Sequence, residues 1–365
     1  MLEVTSIVEE SSFTAIDTAK RNIAPHAKPE DWSTSAGNRS LPSIDVDIDV
    51  HSRSVTVDGR RFQDNVDRVS GALFEDDLYG DSLPDGPAVL TGLMDDWPAF
   101  SNPGVSWSVQ DLASRSTAKV SLDGGPSFAR SSMSTGRVTL NEYQQYCERN
   151  GAGDSAPLYV FDPDILKSTF LDGTHVTDSL STPPCFSRDF MECINGSQYR
   201  PLPSAWLLVG VTGSGTPIHD HPLTVAWNAL LVGCKLWCCL PPDVDETLLL
   251  LNLDFQENQE FQENQKDFDL SARDWFRQCG ELVDTAKIIV QRPGEVVFLP
   301  AGWFHVVLNV ETSTAISVSL ARRQDLELSF PLLRESDEEF ATFWWKRLQR
   351  QSQENSNFCL DKLSI

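Results

Sequence analysis

From about Val55 onward, short runs of β-branched and other apolar residues alternate with clusters of turn-forming residues. The runs read "GPAVLTGL", "PLYVFD", "AWLLVGV", "AWNALLV", "KLWCCLP", "EVVFLP", "HVVLNV" and "TAISVSL". Each has the length of a strand and is bounded by Gly, Pro, Asn, Asp or Ser. So many short strands predict a mainly β domain, a barrel or a sandwich. Between Leu230 and Leu240 two apolar runs flank Gly233-Cys234. A glycine at the first turn position suits a type II′ hairpin, so these two strands are expected to pair directly. Helical spacing appears at Ser108 to Ala113, around Leu140 to Arg149, and near the end of the chain. There Ser336-x-x-Glu339 has the form of a capping box ahead of Phe340, Phe343, Trp344 and Leu348. That aromatic stripe reads as core or as a contact between two copies.

Two regions follow neither period. Residues 1–55 mix Ser, Thr, Pro and charges and read as a flexible leader with one short helix near Val4 to Lys20. The stretch from Asp243 to Asp269 carries nine acidic residues against one lysine, Lys266, and contains the near-repeat "FQENQEFQENQ". It reads as a solvated insertion between strands. The expected division is a leader over 1–55, a sheet-rich domain over 56–330 with the acidic insertion at about 243–270, and a helical segment over 331–365.

Composition narrows the partners. A chain of 365 residues can bury a sizeable core. Its net charge of -24 repels phosphate backbones and anionic lipid, so neither nucleic acid nor a membrane surface is expected as a partner; a basic protein complements it. No run approaches the roughly 18 uninterrupted apolar residues that span a bilayer. The acidic start lacks the basic-then-apolar order of a secretion signal. The eight cysteines are scattered, with only Cys238 and Cys239 adjacent. That usage fits a reducing compartment, nucleus or cytoplasm.

The candidate chemistry lies in the histidines. In "GTPIHDHPL" residues two apart on extended chain point the same way, so His219 and His221 can aim at one point while Asp220 faces the opposite side. His305 opens an apolar strand after the turn Pro300-Ala-Gly302. A lone histidine on such a strand is ordinarily a satisfied core residue. A ligand pair on one strand with a distant single ligand on another is instead how a barrel builds a three-ligand facial site that leaves positions open. His219, His221 and His305 are therefore the expected metal ligands. Lys235, beside the turn and inside an apolar run, is costly to bury without an anion.

Four stretches in order, "GPAVLTGLMDDWPA", "DSAPLYVFD", "GSGTPIHDHPLTVAWNALLVGCKLWCCLPP" and "PGEVVFLPAGWFHVVLNVETSTAISVSL", resemble the JmjC (jumonji C) domain family over roughly residues 70–325. The likeness is greatest to the branch containing the jumonji arginine demethylase and lysyl hydroxylase. The resemblance implies a cupin-type double-stranded β-helix, a jelly-roll barrel with flanking α-helices. It implies Fe(II) held by His219, the residue at 221 and His305. It also implies 2-oxoglutarate as cosubstrate, its far carboxylate on Lys235, with Asn228, Thr216, Tyr159 and Ser317 as further polar contacts. The departure is at position 221, which is histidine where the family has a carboxylate.

Imidazole for carboxylate makes the centre more positive by about one unit and removes a hard oxygen, favouring metals that suit nitrogen, so Zn(II) is the alternative to iron. Three outcomes are open: a working three-histidine centre, a slipped segment in which Asp220 supplies oxygen, or a barrel without oxygenase chemistry. A slip by one residue reverses side-chain direction, so ligation by His221 is expected ahead of it. The resemblance implies an Fe(II)- and 2-oxoglutarate-dependent oxygenase that hydroxylates or demethylates a protein side chain, with a basic protein as substrate. The alternatives are a non-catalytic binding module and a three-histidine dioxygenase that does not use 2-oxoglutarate. The C-terminal aromatic helix leaves a homodimer open.

Overall fold

The structure, a computed structural model, describes residues 15–20, 44–102, 105–123, 136–149, 153–154, 157–201, 204–221, 223–245, 249, 271–279 and 286–354. Ten strands carry the architecture: β1 (Ala88–Thr91), β2 (Tyr159–Asp162), β3 (Ala205–Gly210), β4 (Gly215–His219), β5 (Val225–Val232), β6 (Lys235–Leu240), β7 (Lys287–Gln291), β8 (Val296–Leu299), β9 (Phe304–Asn309) and β10 (Ser313–Leu320). One sheet has the order β4, β9, β6, β7. The other runs β1, β8, β5, β10, β3, β2 within a larger sheet. All the pairings among these ten strands are antiparallel. The two sheets face one another, and Ala226, Val297 and Leu299 of one pack with Trp237, Ile289 and Val307 of the other. This is the jelly-roll barrel that the resemblance implied.

Each sheet is apolar on both faces, which is why the strands read as continuous hydrophobic runs instead of alternating. Leu236, Cys238, Ile288, Val290 and Leu308 point outward from the first sheet into a core shared with Val55, Val57 and Phe62 and with Trp275 and Phe276. Trp227, Ala229, Leu231, Phe298 and Ile316 point outward from the second into a larger core. The inward set then has to fill or line the space between the sheets. Side-chain parity alone sends Ala226 and Asn228, Lys235 and Trp237, His305 and Val307, and Ser317 and Ser319 there.

Several helices flank the barrel: α1 (Val109–Arg115), α2 (Leu140–Arg149), α3 (Ala272–Gln278), α4 (Arg323–Ser336) and α5 (Glu338–Glu354). α1 starts where Ser108 Oγ accepts from Asp111 N, and α2 covers the stretch expected from its spacing. α5 docks with Phe340, Trp344 and Leu348, one turn apart, against Phe190, Ile194, Leu326 and Phe330. The Trp344 indole donates to Phe190 O at 2.9 Å. The aromatic stripe is therefore core.

Four expectations need correction. The strands on either side of Gly233-Cys234 do not pair with each other: β5 lies between β8 and β10, and β6 between β9 and β7 of the facing sheet. Gly233, at φ 88°, turns the chain from one sheet into the other, and a Cβ there would lie 2.3 Å from Thr312 O. The cap of α5 is Asp337, whose Oδ1 accepts from Phe340 N at 2.9 Å; Ser336 ends the preceding helix instead. The helical end of the chain begins at Arg323, ahead of position 331, because Leu326, Phe330 and Leu333 continue a helical period that runs through Pro331. Within 1–55, residues 15–20 are helical and the strand Val46–Asp49 pairs with Ser54–Val57, so order begins before Val55. The rest of the expected helix near Val4 and nearly all of the acidic insertion lie outside the described residues.

Candidate metal centre

β4 and β9 pair with Thr216 opposite Val307 and His219 opposite His305. Two residues on one strand, Pro217 and Ile218, thus oppose one on the other, Val306, which is a β-bulge. Strict alternation would put Thr216 and His219 on opposite faces. The bulge turns both into the space between the sheets, while Ile218 points out to the core beneath. His221 follows just past the strand end, and Gly302 N donates to its carbonyl at 2.9 Å. That bond ties the segment carrying the histidine pair to the Pro300-to-Gly302 turn from which His305 emerges.

The three rings converge. Ring centroids are 4.1 Å apart for His219 and His305, 5.1 Å for His219 and His221, and 5.3 Å for His221 and His305. One nitrogen from each lies within 4.8 Å of the others, the only such cluster of His, Cys, Asp or Glu among the described residues; Asp220 is not in it. The arrangement thus gathers His221, and not Asp220, with the other two histidines.

Hydrogen bonds fix the tautomers. His219 Nδ1 is 2.8 Å from Pro217 O and His305 Nδ1 is 3.1 Å from Trp303 O. A carbonyl can only accept, so Nδ1 carries the proton in each ring and Nε2 keeps its lone pair. Enclosure holds all three imidazoles neutral. Burial lowers the affinity of His219 for a proton; His221 is pushed down to about 3 by burial and by His219; burial, then the two neighbouring histidines, hold His305 well below its ordinary range. Trp237 stacks beside His305 at 6.0 Å and is held in turn by its indole N–H on Gln291 Oε1 at 2.9 Å.

From this cluster a cavity of about 320 Å³ runs between the sheets. Its walls include Thr216, Asn228, Lys235, Tyr159 and Ser317, all expected from the sequence, and also Phe161, Trp206, Arg200 and Met191, which were not. Lys235 is 1% exposed, and its Nζ donates to Asn309 Oδ1 at 2.6 Å and to Tyr159 Oη at 3.1 Å. No acidic side chain pairs with it among the described residues, and burial pushes its amine down to about 7. Asn309 is the partner that sequence reasoning missed. It stands opposite Lys235 in register, and Gly210 leaves room for it, since a Cβ there would lie 2.1 Å from its Nδ2. The signal was a single amide at the end of the apolar run "HVVLNV".

A cation and an anion both fit this lining. One nitrogen of each of the three imidazoles faces the others, and in His219 and His305 the proton is held on Nδ1 by a backbone carbonyl. An ammonium has three N–H donors and Lys235 spends two on neutral acceptors, leaving one for an anion. The amide oxygen of Asn228 is buried with no hydrogen-bond partner, an open polar site on the same wall. The donor set is nitrogen only, so it suits zinc as well as iron.

The JmjC domain, hydroxylase, model matches residues 206–320, the span from β3 to the end of β10. Arginine-specific demethylase JMJ22 of Arabidopsis thaliana is 32% identical over 268 residues, 72% of this chain and 47% of that protein, so the chain spans about half of that relative's length. Bifunctional arginine demethylase and lysyl-hydroxylase psr-1 of Caenorhabditis elegans is 30% identical over 304 residues, 80% of this chain and 70% of that protein. A shorter match, 32% over 146 residues, covering 38% of this chain and 31% of the relative, is to 2-oxoglutarate and iron-dependent oxygenase JMJD4 of Gallus gallus. Among the described residues no helix is long and apolar enough to cross a membrane.

Proposed function

Because the chain belongs to the JmjC domain family of hydroxylases, we propose that it is an Fe(II)- and 2-oxoglutarate-dependent oxygenase that hydroxylates or demethylates a side chain of a protein. The observation that carries this reading is the joint presence, in one cavity, of three converging imidazoles and a buried lysine with no acidic partner among the described residues. His219, His221 and His305 hold the metal. Lys235 clamps the far carboxylate of 2-oxoglutarate, with Tyr159, Asn228, Thr216 and Ser317 as hydrogen-bonding neighbours. The strongly acidic chain suits a basic protein as substrate.

Fe(II) with 2-oxoglutarate, when bound, supplies oxidative decarboxylation coupled to oxygen insertion into a C–H bond. The chain's own residues do the rest. The carbonyls of Pro217 and Trp303 keep the two imidazoles in the ligating tautomer. Lys235 and Asn228, on the cavity wall, would hold and orient the dicarboxylate. Trp237, Leu208 and Val307 line it with apolar surface that keeps water from the reacting atoms.

The test is an anaerobic titration of the full chain with Fe(II) and 2-oxoglutarate, read by the visible metal-to-ligand charge-transfer band and followed by succinate formation on admitting oxygen. A saturable band with succinate is the expected result. No band and no bound 2-oxoglutarate would remove the reading. The all-nitrogen donor set also supports a second one, a zinc-holding binding module. Zinc retained through purification, with no succinate after exchange for iron, would favour it.

A further inference from the structure

The helical stretch 15–20 lies far from the cavity in sequence, yet its Lys20 is completely buried. Lys20 Nζ sits 2.5 Å from Asp154 Oδ2, and both side chains are fully enclosed. Ile16 and Ala19 join the main core beside it. The stretch is seated closely enough that a Cβ on Gly136 would lie 2.7 Å from the Ala19 Cβ. A buried ion pair is weak evidence for stability, since desolvation offsets most of the attraction, so a role in specifying geometry is a reason for such a pair.

The bonds beyond it lead to the cosubstrate pocket. Tyr146 Oη donates to Asp154 Oδ2 at 2.7 Å and accepts from Leu158 N at 3.0 Å. Burial and the Asp154 charge keep that phenol protonated, so it can do both. Tyr143 Oη, 2.8 Å from Leu158 O and 3.1 Å from Val209 O, shares its one proton between the two carbonyls where β2 meets β3. Leu158 is thus held at its N–H and at its carbonyl. The next residue is Tyr159, which accepts from Lys235 Nζ.

We propose that Lys20 is a positioning residue for the cosubstrate pocket, acting through Asp154 and Tyr146 on the backbone of Leu158, and so on Tyr159 and the Lys235 amine. The helical stretch near the start of the chain then belongs to the pocket's supporting shell. This rests on the reading of the cavity as a 2-oxoglutarate site.

The experiment uses the full chain, loaded anaerobically with Fe(II), and measures the Kd for 2-oxoglutarate by calorimetry together with hydrogen exchange at the Leu158 amide. Tyr146→Phe removes one hydroxyl and leaves the packing. It is expected to raise Kd roughly 3- to 10-fold, the loss of about one hydrogen bond, and to speed exchange at Leu158 with metal content unchanged. Lys20→Met is expected to do more, and Lys20→Arg to recover part of the loss. Should Lys20→Met fail to fold, Tyr146→Phe decides. A folded Tyr146→Phe protein with wild-type Kd and wild-type exchange overturns the proposal. If the wild-type chain binds no 2-oxoglutarate, the cosubstrate reading falls, and exchange at Leu158 decides the network by itself: faster in Tyr146→Phe supports it, unchanged overturns it.

Discussion

At the scale of single residues, the centre is set by what stands at 219, 221 and 305, and the choice of imidazole at 221 is a matter of charge. His221→Asp adds a hard oxygen and one negative charge to the donor set, which is expected to shift retention from zinc towards iron and to raise succinate formation; metal analysis of the purified variant beside a turnover assay checks both. His219→Ala removes one of two tautomer-locked ligands and is expected to abolish metal retention. As the proposed carboxylate clamp Lys235 would supply a charge-assisted bond of about 1.5–3 kcal/mol, so Lys235→Met is expected to weaken 2-oxoglutarate binding by roughly 10- to 150-fold with the metal still bound. Its amine, pushed down to about 7 from 10.5 by burial, also sets a pH dependence. Above pH 7 the free amine is neutral and binding a dianion must recruit a proton, so affinity falls as pH rises, and Lys235→Met is expected to flatten that profile. The sign for folding is opposite. Between about 7 and 10.5 the unfolded chain binds more protons, so this residue's contribution to stability rises with pH across that window. That His219 and His221 face one point was legible in the sequence, because residues two apart on extended chain need only the local pattern; the local pattern left the burial of Lys235 open, and the resemblance pointed to it. Asn309 was not, because its role depends on which strand lies opposite, and register is a property of the fold.

Elements were legible where one residue's neighbours decide them and misread where a distant partner does. Leu140–Arg149 carries its own helical period, and the structure returns that helix. Gly233-Cys234 carries an unambiguous turn signal, but a turn does not say whether the strands it joins will pair or part. Here β5 and β6 are each apolar on both faces, so each is taken into the middle of its own sheet, flanked on both sides. The helix cap was displaced by one residue for a related reason: Ser336 and Asp337 both suit an N-cap, and Ser336 is already the last residue of α4. The two are separable by mutation. Asp337→Ala removes the acceptor for Phe340 N and is expected to cost about 0.5–2 kcal/mol in chemical denaturation. Ser336→Ala, whose hydroxyl reaches only Leu333 O at 3.4 Å, is expected to stay within about 0.5 kcal/mol.

For the whole molecule, the placement of its apolar mass determines how the fold responds to losing the metal. The two large cores lie on the outer faces of the facing sheets, and the cavity between them is lined in good part by polar groups. The three histidines are contributed by one sheet and the segment just after β4, and the opposite wall by the other sheet. A metal and cosubstrate bound there would therefore bridge surfaces that are already held in place by packing elsewhere, unlike a small metallodomain whose fold is its metal site. Chelation is accordingly expected to leave far-ultraviolet dichroism and a cooperative thermal transition intact, because no core residue depends on the ion. It should nonetheless lower the midpoint by linkage. A ligand present at a hundred times its Kd adds about 2.7 kcal/mol, which for a chain of this size corresponds to roughly 4 °C. At the same ligand concentrations the shift should shrink to about half or less for cosubstrate, and persist for metal, in Lys235→Met. A melt of the chelated protein without a cooperative transition would mean that the sheets are held together by the centre itself, and that the cores on their outer faces do not suffice.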